Sequence, residues 1–383
     1  MPDGMRGWWL GALLLAVAPV TPASAQNTEL EAQLQNRLET MVAEAGIPGA
    51  TLGVVLSDGR TLALAAGVAD TTTGAALRPD DRMLQGSVGK TYFAAVALQL
   101  VEEGRLELDR PIGEYFPEAA WVHRIPNGPD ITLRHLMGHT SGLVRYEFNP
   151  AFFADLHADP LRTFTPEERL SYLFDQEAAF APGEGWDYSD TNYIVVAMLI
   201  ERATGRSAYE EIQHRFLTPL GLDETVPSNE PRVPGLVQGY AGADNPFGPF
   251  DEMLRDGELL INPQFEWGGG GIASSAVDLA RWMHHLQSAS GFEPSLLEQI
   301  RDGHPAPLGP EAEYGLGVIM MTLKAGTAWG HSGFMPGYRT EAYHFPEHGF
   351  TVALQFNSSD SAALRTSPLR ALAELAELLA DRH

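Results

Sequence analysis

The chain has 383 residues, 44% of them hydrophobic and 20% charged, a balance that describes a globular protein of about two or three domains and excludes a disordered or fibrous one. Lys and Arg number 25 against 50 Asp and Glu, a formal net charge of −25. Such a surface repels phosphate backbones and excludes nucleic-acid binding as the main function.

The first segment is laid out as a secretory leader. Arg6 precedes an apolar run over residues 8–20, followed by Thr21-Pro22 and a small-x-small site at Ala23-Ser24-Ala25. The run is shorter than the roughly 18–20 residues a bilayer span needs, so residues 1–25 are expected to be a signal peptide cleaved after Ala25. A periplasmic or secreted protein without a stable membrane anchor follows. The chain contains no Cys, which removes disulfides, thiol catalysis, thiolate metal sites and a lipidated anchor, and suits an oxidising compartment.

Helical spacing over residues 28–45 stops at Gly46-Ile47-Pro48-Gly49. Strand-like runs at 50–56 and 61–66 flank a hairpin turn, Ser57-Asp58-Gly59-Arg60. Apolar helices are expected at 91–103, closed by Gly104, and at 194–203, stopped by Gly205. Two strands at 339–345 and 350–356 surround Pro346-Glu347-His348-Gly349, and a Leu/Ala/Glu-rich helix covers 362–380. The middle, residues 103–266, reads as helical with Pro- and Gly-rich loops. The economical fold is α+β: an antiparallel sheet flanked by helices and built from both chain ends (26–102 and 267–383), with a mainly helical domain (103–266) inserted.

Chemistry concentrates first at Gln85-Gly86-Ser87-Val88-Gly89-Lys90. Between Ser87 and Glu102 the only charge is Lys90, so this helix should be buried. A lysine in the first helical turn faces the positive end of the macrodipole and is desolvated, and both effects favour a neutral amine. Ser87 and Lys90 are three residues apart and share a face. The helix N-terminus offers N–H groups to a developing oxyanion, so the pair reads as a nucleophile and its proton-handling partner. A plain N-cap serine and a solvent-reaching lysine are the structural alternative. Tyr188 stands just before the second apolar helix, where a side chain can project into a cleft. Near a lysine it should lose its proton more easily and act as a base. A third element is Trp329-Gly330-His331-Ser332-Gly333, with a strand expected immediately after it.

Order and context of these elements resemble the serine β-lactamase and penicillin-binding-protein superfamily. The nearest branch holds class C β-lactamases, D-alanyl-D-alanine carboxypeptidases and family VIII esterases. Further matching stretches are Gly104-Arg105-Leu106-Glu107-Leu108-Asp109 with Pro111-Ile112, Leu136-Met137-Gly138-His139-Thr140-Ser141-Gly142-Leu143, and Gly269-Gly270-Gly271-Ile272-Ala273-Ser274-Ser275 with Asp278-Leu279-Ala280. The resemblance implies that Ser87 is the acylated nucleophile, Lys90 its proton shuttle, and Tyr188 the group that activates Ser87 and protonates the leaving group. It implies substrate contacts from Asp190, His331, Ser332 and Gly333, and an oxyanion hole made by the N–H groups of Ser87 and Phe334. It implies no cofactor and no metal.

Two positions depart from the family pattern. Asp190 stands where Asn is usual, and a carboxylate cannot donate to a substrate carbonyl; pairing with Lys90 would keep that amine cationic. His331 stands where β-lactamases have Lys, so recognition of a substrate carboxylate should be weaker and pH-dependent. The expected function is therefore an exported serine hydrolase acting on peptides, peptidoglycan stem peptides or small esters. D-Alanyl-D-alanine carboxypeptidase chemistry comes first, carboxylesterase second and β-lactamase third; a catalytically weak module binding peptidoglycan fragments is the non-enzyme alternative. His135 and His139 lack the Glu of a His-Glu-x-x-His zinc site, Gly330–Phe334 misses the last Gly of a nucleophile elbow, and Gly268–Gly271 lacks the Lys-Ser/Thr of a phosphate loop. Arg339 is placed to meet a carboxylate or to serve its strand.

Overall fold

The computed structural model describes residues 23–243, 245–287, 292–362 and 364–382. Most of the leader read at residues 1–25 therefore lies outside the described residues. Helix Ala23–Ala45 runs through its final three positions.

A nine-stranded sheet is assembled from both ends of the chain. Its order is Ala75–Ala76, Thr61–Asp70, Gly49–Val55, Phe350–Phe356, Tyr338–Phe345, Gly326–Met335, Ile319–Leu323, Glu313–Tyr314 and His304–Pro305. Each neighbouring pair is antiparallel. Strand Gly49–Val55 is buried at every position, as a strand with both faces covered must be. One face receives Leu34, Leu38 and Met41 of Ala23–Ala45 together with Leu372, Leu375 and Leu379 of Pro368–Ala380, packed on Leu52 and Val54. The other face is crossed by helix Ala276–Gln287 at Gly53, where a Cβ would lie 2.1 Å from the Ala276 carbonyl oxygen.

The C-terminal helix begins at Pro368, six residues later than its composition indicates. Pro368 disfavours a helical residue before it, and Ser367 caps the first turn by accepting from the Arg370 N–H at 3.2 Å. The His331 element lies inside strand Gly326–Met335, and strand Tyr338–Phe345 follows it. Residues 103–266 are less helical than their composition implies. Asp190–Thr204 has 15 residues and Ala208–Ile212 continues through a π segment to Leu220, but Leu133–Met137, which ends at Gly138, and Pro166–Ser171 are only one or two turns long.

A small sheet then sets the site. Strand Ile272–Ser274 pairs with Met83–Leu84 on one side and Thr225–Pro227 on the other. It ties the segment entering Ser87 to the glycine run Gly268–Gly271. Among the described residues no helix is long and apolar enough to cross a membrane.

Because Gly53 leaves no room for a side chain, Gly53→Ala should destabilise the protein by about 3 kcal/mol, the upper range for overpacking. Chemical denaturation of the two proteins measures it; an unchanged midpoint would show that the helix can back away from the sheet.

Candidate active site

Ser87 sits on a single 3-10 turn, Gly86–Gly89, that runs directly into helix Lys90–Glu102. Backbone fills the space around that turn. A Cβ on Gly86, whose φ is +55°, would lie 2.4 Å from the Phe334 carbonyl oxygen and 2.6 Å from its nitrogen. A Cβ on Gly333 would lie 1.9 Å from the Gln85 oxygen, and one on Gly89 would lie 2.2 Å from the Gly270 oxygen. Only glycines permit this approach, and it seats the Phe334 peptide against the residue preceding Ser87.

Lys90 is fully buried and uses all three of its donors. They go to Ser87 Oγ at 2.9 Å, to Asp190 Oδ1 and to the Gly269 carbonyl. Burial is the largest single effect and favours the neutral amine, but Asp190, Tyr188 and Glu266 together outweigh it and Lys90 is held above its ordinary pKa. This corrects the expectation of a neutral lysine. Asp190 is buried too; burial opposes its charge, yet Lys90 and Arg145 hold its carboxyl well below the usual range. Its Oδ2 accepts from Arg145 Nη2 at 2.5 Å. With both oxygens engaged, Asp190 lies behind the cavity wall and does not line the cavity, so it is not placed to face substrate as expected. Glu147 takes the other side of Arg145, at 3.0 and 3.2 Å. Burial and the adjacent Asp190 push its carboxyl well above the ordinary range, while Arg145 pulls it the other way. Burial likewise pushes Glu266 up to about 8.

Tyr188 stands at the mouth of this cluster. Its ring is 4.2 Å from that of His139, and Lys90 Nζ is 5.1 Å from its centroid. Its hydroxyl is buried without an aligned hydrogen-bond partner. Burial raises its pKa; Lys90 pulls the other way, but Asp190 adds to the increase. Tyr188 is therefore a neutral phenol at rest, and not the readily ionised base that its proximity to a lysine implies. The main reason is burial of the phenol, to which the Asp190 carboxylate adds.

His331 Nδ1 lies 2.6 Å from the Ser332 carbonyl, so it carries the proton and donates; Nε2, at 2.9 Å, accepts from the Tyr314 hydroxyl. Burial, with Lys90 nearby, pushes His331 down to about 3. It is neutral throughout the physiological range, which removes the expected pH-dependent cation. Ser332 Oγ donates to Glu341 Oε2 at 2.6 Å and lies 2.8 Å from the Tyr343 hydroxyl. Burial pushes Glu341 up to about 8.

A cavity of about 430 Å³ brings together Ser87, Tyr188, His331, Ser332, Gly333 and Phe334, with Arg145, Arg339 and Glu341 and an apolar wall that includes Pro246 and Phe247. Lys90 and Asp190 lie behind it. His135 and His139 serve different partners: His135 Nδ1 accepts from the Thr132 N–H in a helix cap, while His139 Nδ1 accepts from the Ser189 N–H and Asn192 Nδ2. Arg145, Glu147, Glu266, Tyr314 and Glu341 were invisible to motif reading. For Glu341 a signal existed, since it alternates with Arg339 and Tyr343 along one strand and so shares their face.

The Beta-lactamase family profile matches residues 34–377. The chain belongs to the β-lactamase family. Its antiparallel sheet with flanking helices is the β-lactamase/transpeptidase fold. It is 28% identical over 318 residues to a D-aminopeptidase of Brucella anthropi, covering 82% of this chain and 57% of that protein. The chain thus spans little more than half the length of that relative. It is 28% identical to esterase EstB of Burkholderia gladioli over 82% of this chain and 89% of the esterase. A D-stereospecific amidohydrolase from Streptomyces sp. superposes with a TM-score of 0.75 at 29% identity, over 87% of this chain and 96% of that one.

Histidine burial has a consequence for stability. His331 takes a proton at about 3 when folded, against an ordinary value of 6.5. The unfolded chain is protonated first as pH falls, so stability is lost from about 6.5 downward. Glu341 and Glu266 act oppositely, supporting the fold fully below about 4.5 and losing that support as pH rises through about 8. His331→Gln should therefore flatten the slope of unfolding free energy between pH 6.5 and 4 by about 1.4 kcal/mol per pH unit, one proton's worth. Denaturant titrations at several pH values measure it, and parallel slopes in the two proteins would refute a buried neutral His331.

Proposed function

We propose that the chain is an exported hydrolase that cleaves esters and amides through an acyl-enzyme on Ser87, with penicillins and carboxylate-ended peptides as poorer substrates. The observation that carries this ordering is the bond from Ser332 Oγ to Glu341. The resemblance assigns Ser332 to substrate contact, but here its hydroxyl already donates to a buried acid. The neighbouring His331 offers no charge. A D-alanyl-D-alanine carboxypeptidase must hold a terminal carboxylate, and so ranks below an esterase or amidase in this cleft. Names among the relatives, a D-aminopeptidase and an esterase, support the same order. Export rests on the composition of residues 1–25.

In this mechanism the Tyr188 phenolate, a minority form at neutral pH, takes the Ser87 proton as Oγ bonds to the acyl carbon. The N–H groups of Ser87 and Phe334 receive the negative charge on the acyl oxygen. As the bond to the leaving alcohol or amine breaks, Tyr188 returns the proton to it, and water then repeats the sequence to free the acid. Lys90 stays an ammonium, aligning Ser87 Oγ and stabilising the phenolate. A binding-only role fits poorly with a nucleophile already aligned at 2.9 Å.

The purified protein should turn over 4-nitrophenyl butyrate with an initial burst and should gather little adduct from a fluorescent penicillin. Ser87→Ala should lose about 10³-fold or more of kcat/KM. A stable penicilloyl adduct without ester turnover would return the carboxypeptidase to first place. Wild-type kcat/KM should climb through neutral pH toward an ionisation above 10, without an inflection near 6–7, because His331 does not titrate there.

Asp190 raises both Lys90 and Tyr188, so Asp190→Asn should move that alkaline limb to lower pH. It should also destabilise the fold by about 3 kcal/mol, since Lys90 and Arg145 lose their shared carboxylate. A pH–rate profile beside a denaturation curve reads both effects, and an unmoved limb would remove Tyr188 from the role of base.

A further inference from the structure

We propose that Arg339 binds a carboxylate carried on the acyl half of the substrate, making this enzyme selective for apolar acyl chains that bear an anionic group. The assignment rests on Ser87 being the acylated residue.

Two arginines line the cavity, and their surroundings differ. Arg145 is bound to Asp190 and Glu147. Arg339 has neither an ion pair nor a hydrogen bond among the described residues, and its Nε is buried without a partner. A guanidinium stays charged in a protein, and a partly buried cation without a paired anion is unfavourable. Its place is fixed, since Cζ lies 4.6 Å from the centre of the Phe334 ring, a stacking that leaves the edge donors aimed outward. Glu341, two residues along the same strand face, does not satisfy it, because that carboxyl accepts from Ser332 instead. Asp360 borders an adjoining pocket with Arg339, and Glu341 attracts it through space, but no ion pair among the described residues joins Arg339 to either, which leaves its donors open to a ligand anion.

The geometry also separates the two halves of the substrate. Tyr188, which protonates the leaving group, neighbours His331, with ring centres 6.2 Å apart. Arg339 pairs across the sheet with Phe334, three residues and about 10 Å further along the strand. The Phe334 N–H lies between, so the leaving half points toward His331 and the acyl half toward Arg339. Pro246, Phe247 and Phe334 line that end and suit a hydrocarbon stretch between carbonyl and carboxylate. A chain with a net charge of −25 repels anions at long range, so any preference for one must arise locally.

The test compares mono-4-nitrophenyl esters of six-, eight- and ten-carbon dicarboxylic acids with 4-nitrophenyl esters of the matching monocarboxylic acids. Wild type should prefer the dicarboxylic ester about tenfold in kcat/KM at one or more lengths, and added salt should erode the preference. In Arg339→Gln that ratio should fall at least tenfold, chiefly through KM, and Arg339→Lys should recover part of it. A wild-type preference for the uncharged ester at every length overturns the proposal, and needs no variant to fold. So does a preference that survives in Arg339→Gln, or a loss confined to esters whose carboxylate sits on the leaving phenol. Absence of Ser87-dependent turnover of any ester would instead count against the acyl-enzyme reading beneath it.

Discussion

The site depends on one buried carboxylate. Asp190 joins Lys90 and Arg145, two cations drawn from segments far apart in the sequence, and without it neither would be tolerated in so dry a place. Lys90 reaches Ser87 only because its remaining donors are anchored on Asp190 and the Gly269 carbonyl. The same carboxylate decides which group handles protons. By keeping Lys90 an ammonium it removes the obvious base, and it raises the Tyr188 phenol as well. The resting enzyme is thus poised below its full reactivity, with the charge arrangement favouring alignment of Ser87 over early deprotonation.

Around this electrostatic centre the geometry is made by backbone rather than by side chains. Gly86, Gly89, Gly270 and Gly333 let three separate segments meet at distances that any Cβ would forbid. The small sheet that pairs Ile272–Ser274 with Met83–Leu84 holds the glycine run in register with the nucleophile turn. Peptide groups held this way need no reorganisation when an oxyanion forms, which is where such donors gain their strength.

Most of this was legible in the sequence where local rules govern. The strands and helices at the two chain ends follow from alternation and helical spacing, and the Ser87 and Lys90 juxtaposition follows from the pitch of a helical turn. Reading stopped where long-range electrostatics begin. The cationic Lys90 is legible in the departure at position 190, where a carboxylate can pair with the amine, but the burial that raises Tyr188 comes from tertiary packing and is not. His331 was expected to titrate near neutrality because its burial comes from tertiary packing, which a strand pattern does not disclose. The helix expected over 362–380 starts only at Pro368, because a proline disfavours helical backbone before it whatever the leucine and alanine spacing. Arg145 and Glu147 carry no motif, and their importance exists only through contact with Asp190.

A strongly acidic protein acting through the proposed oxyanion faces a conflict, and burial of the acids at and behind the cavity eases it. Glu147, Glu266 and Glu341 all have carboxyls raised by burial, and Glu266 and Glu341, pushed up to about 8, add little negative charge near pH 7. Lys90, Arg145 and Arg339 keep theirs. The surface can therefore be repulsive while the cleft is locally positive. That difference is strongest where the wall is driest, and it explains how buried acids can line this cleft without cancelling the charge that acyl transfer requires.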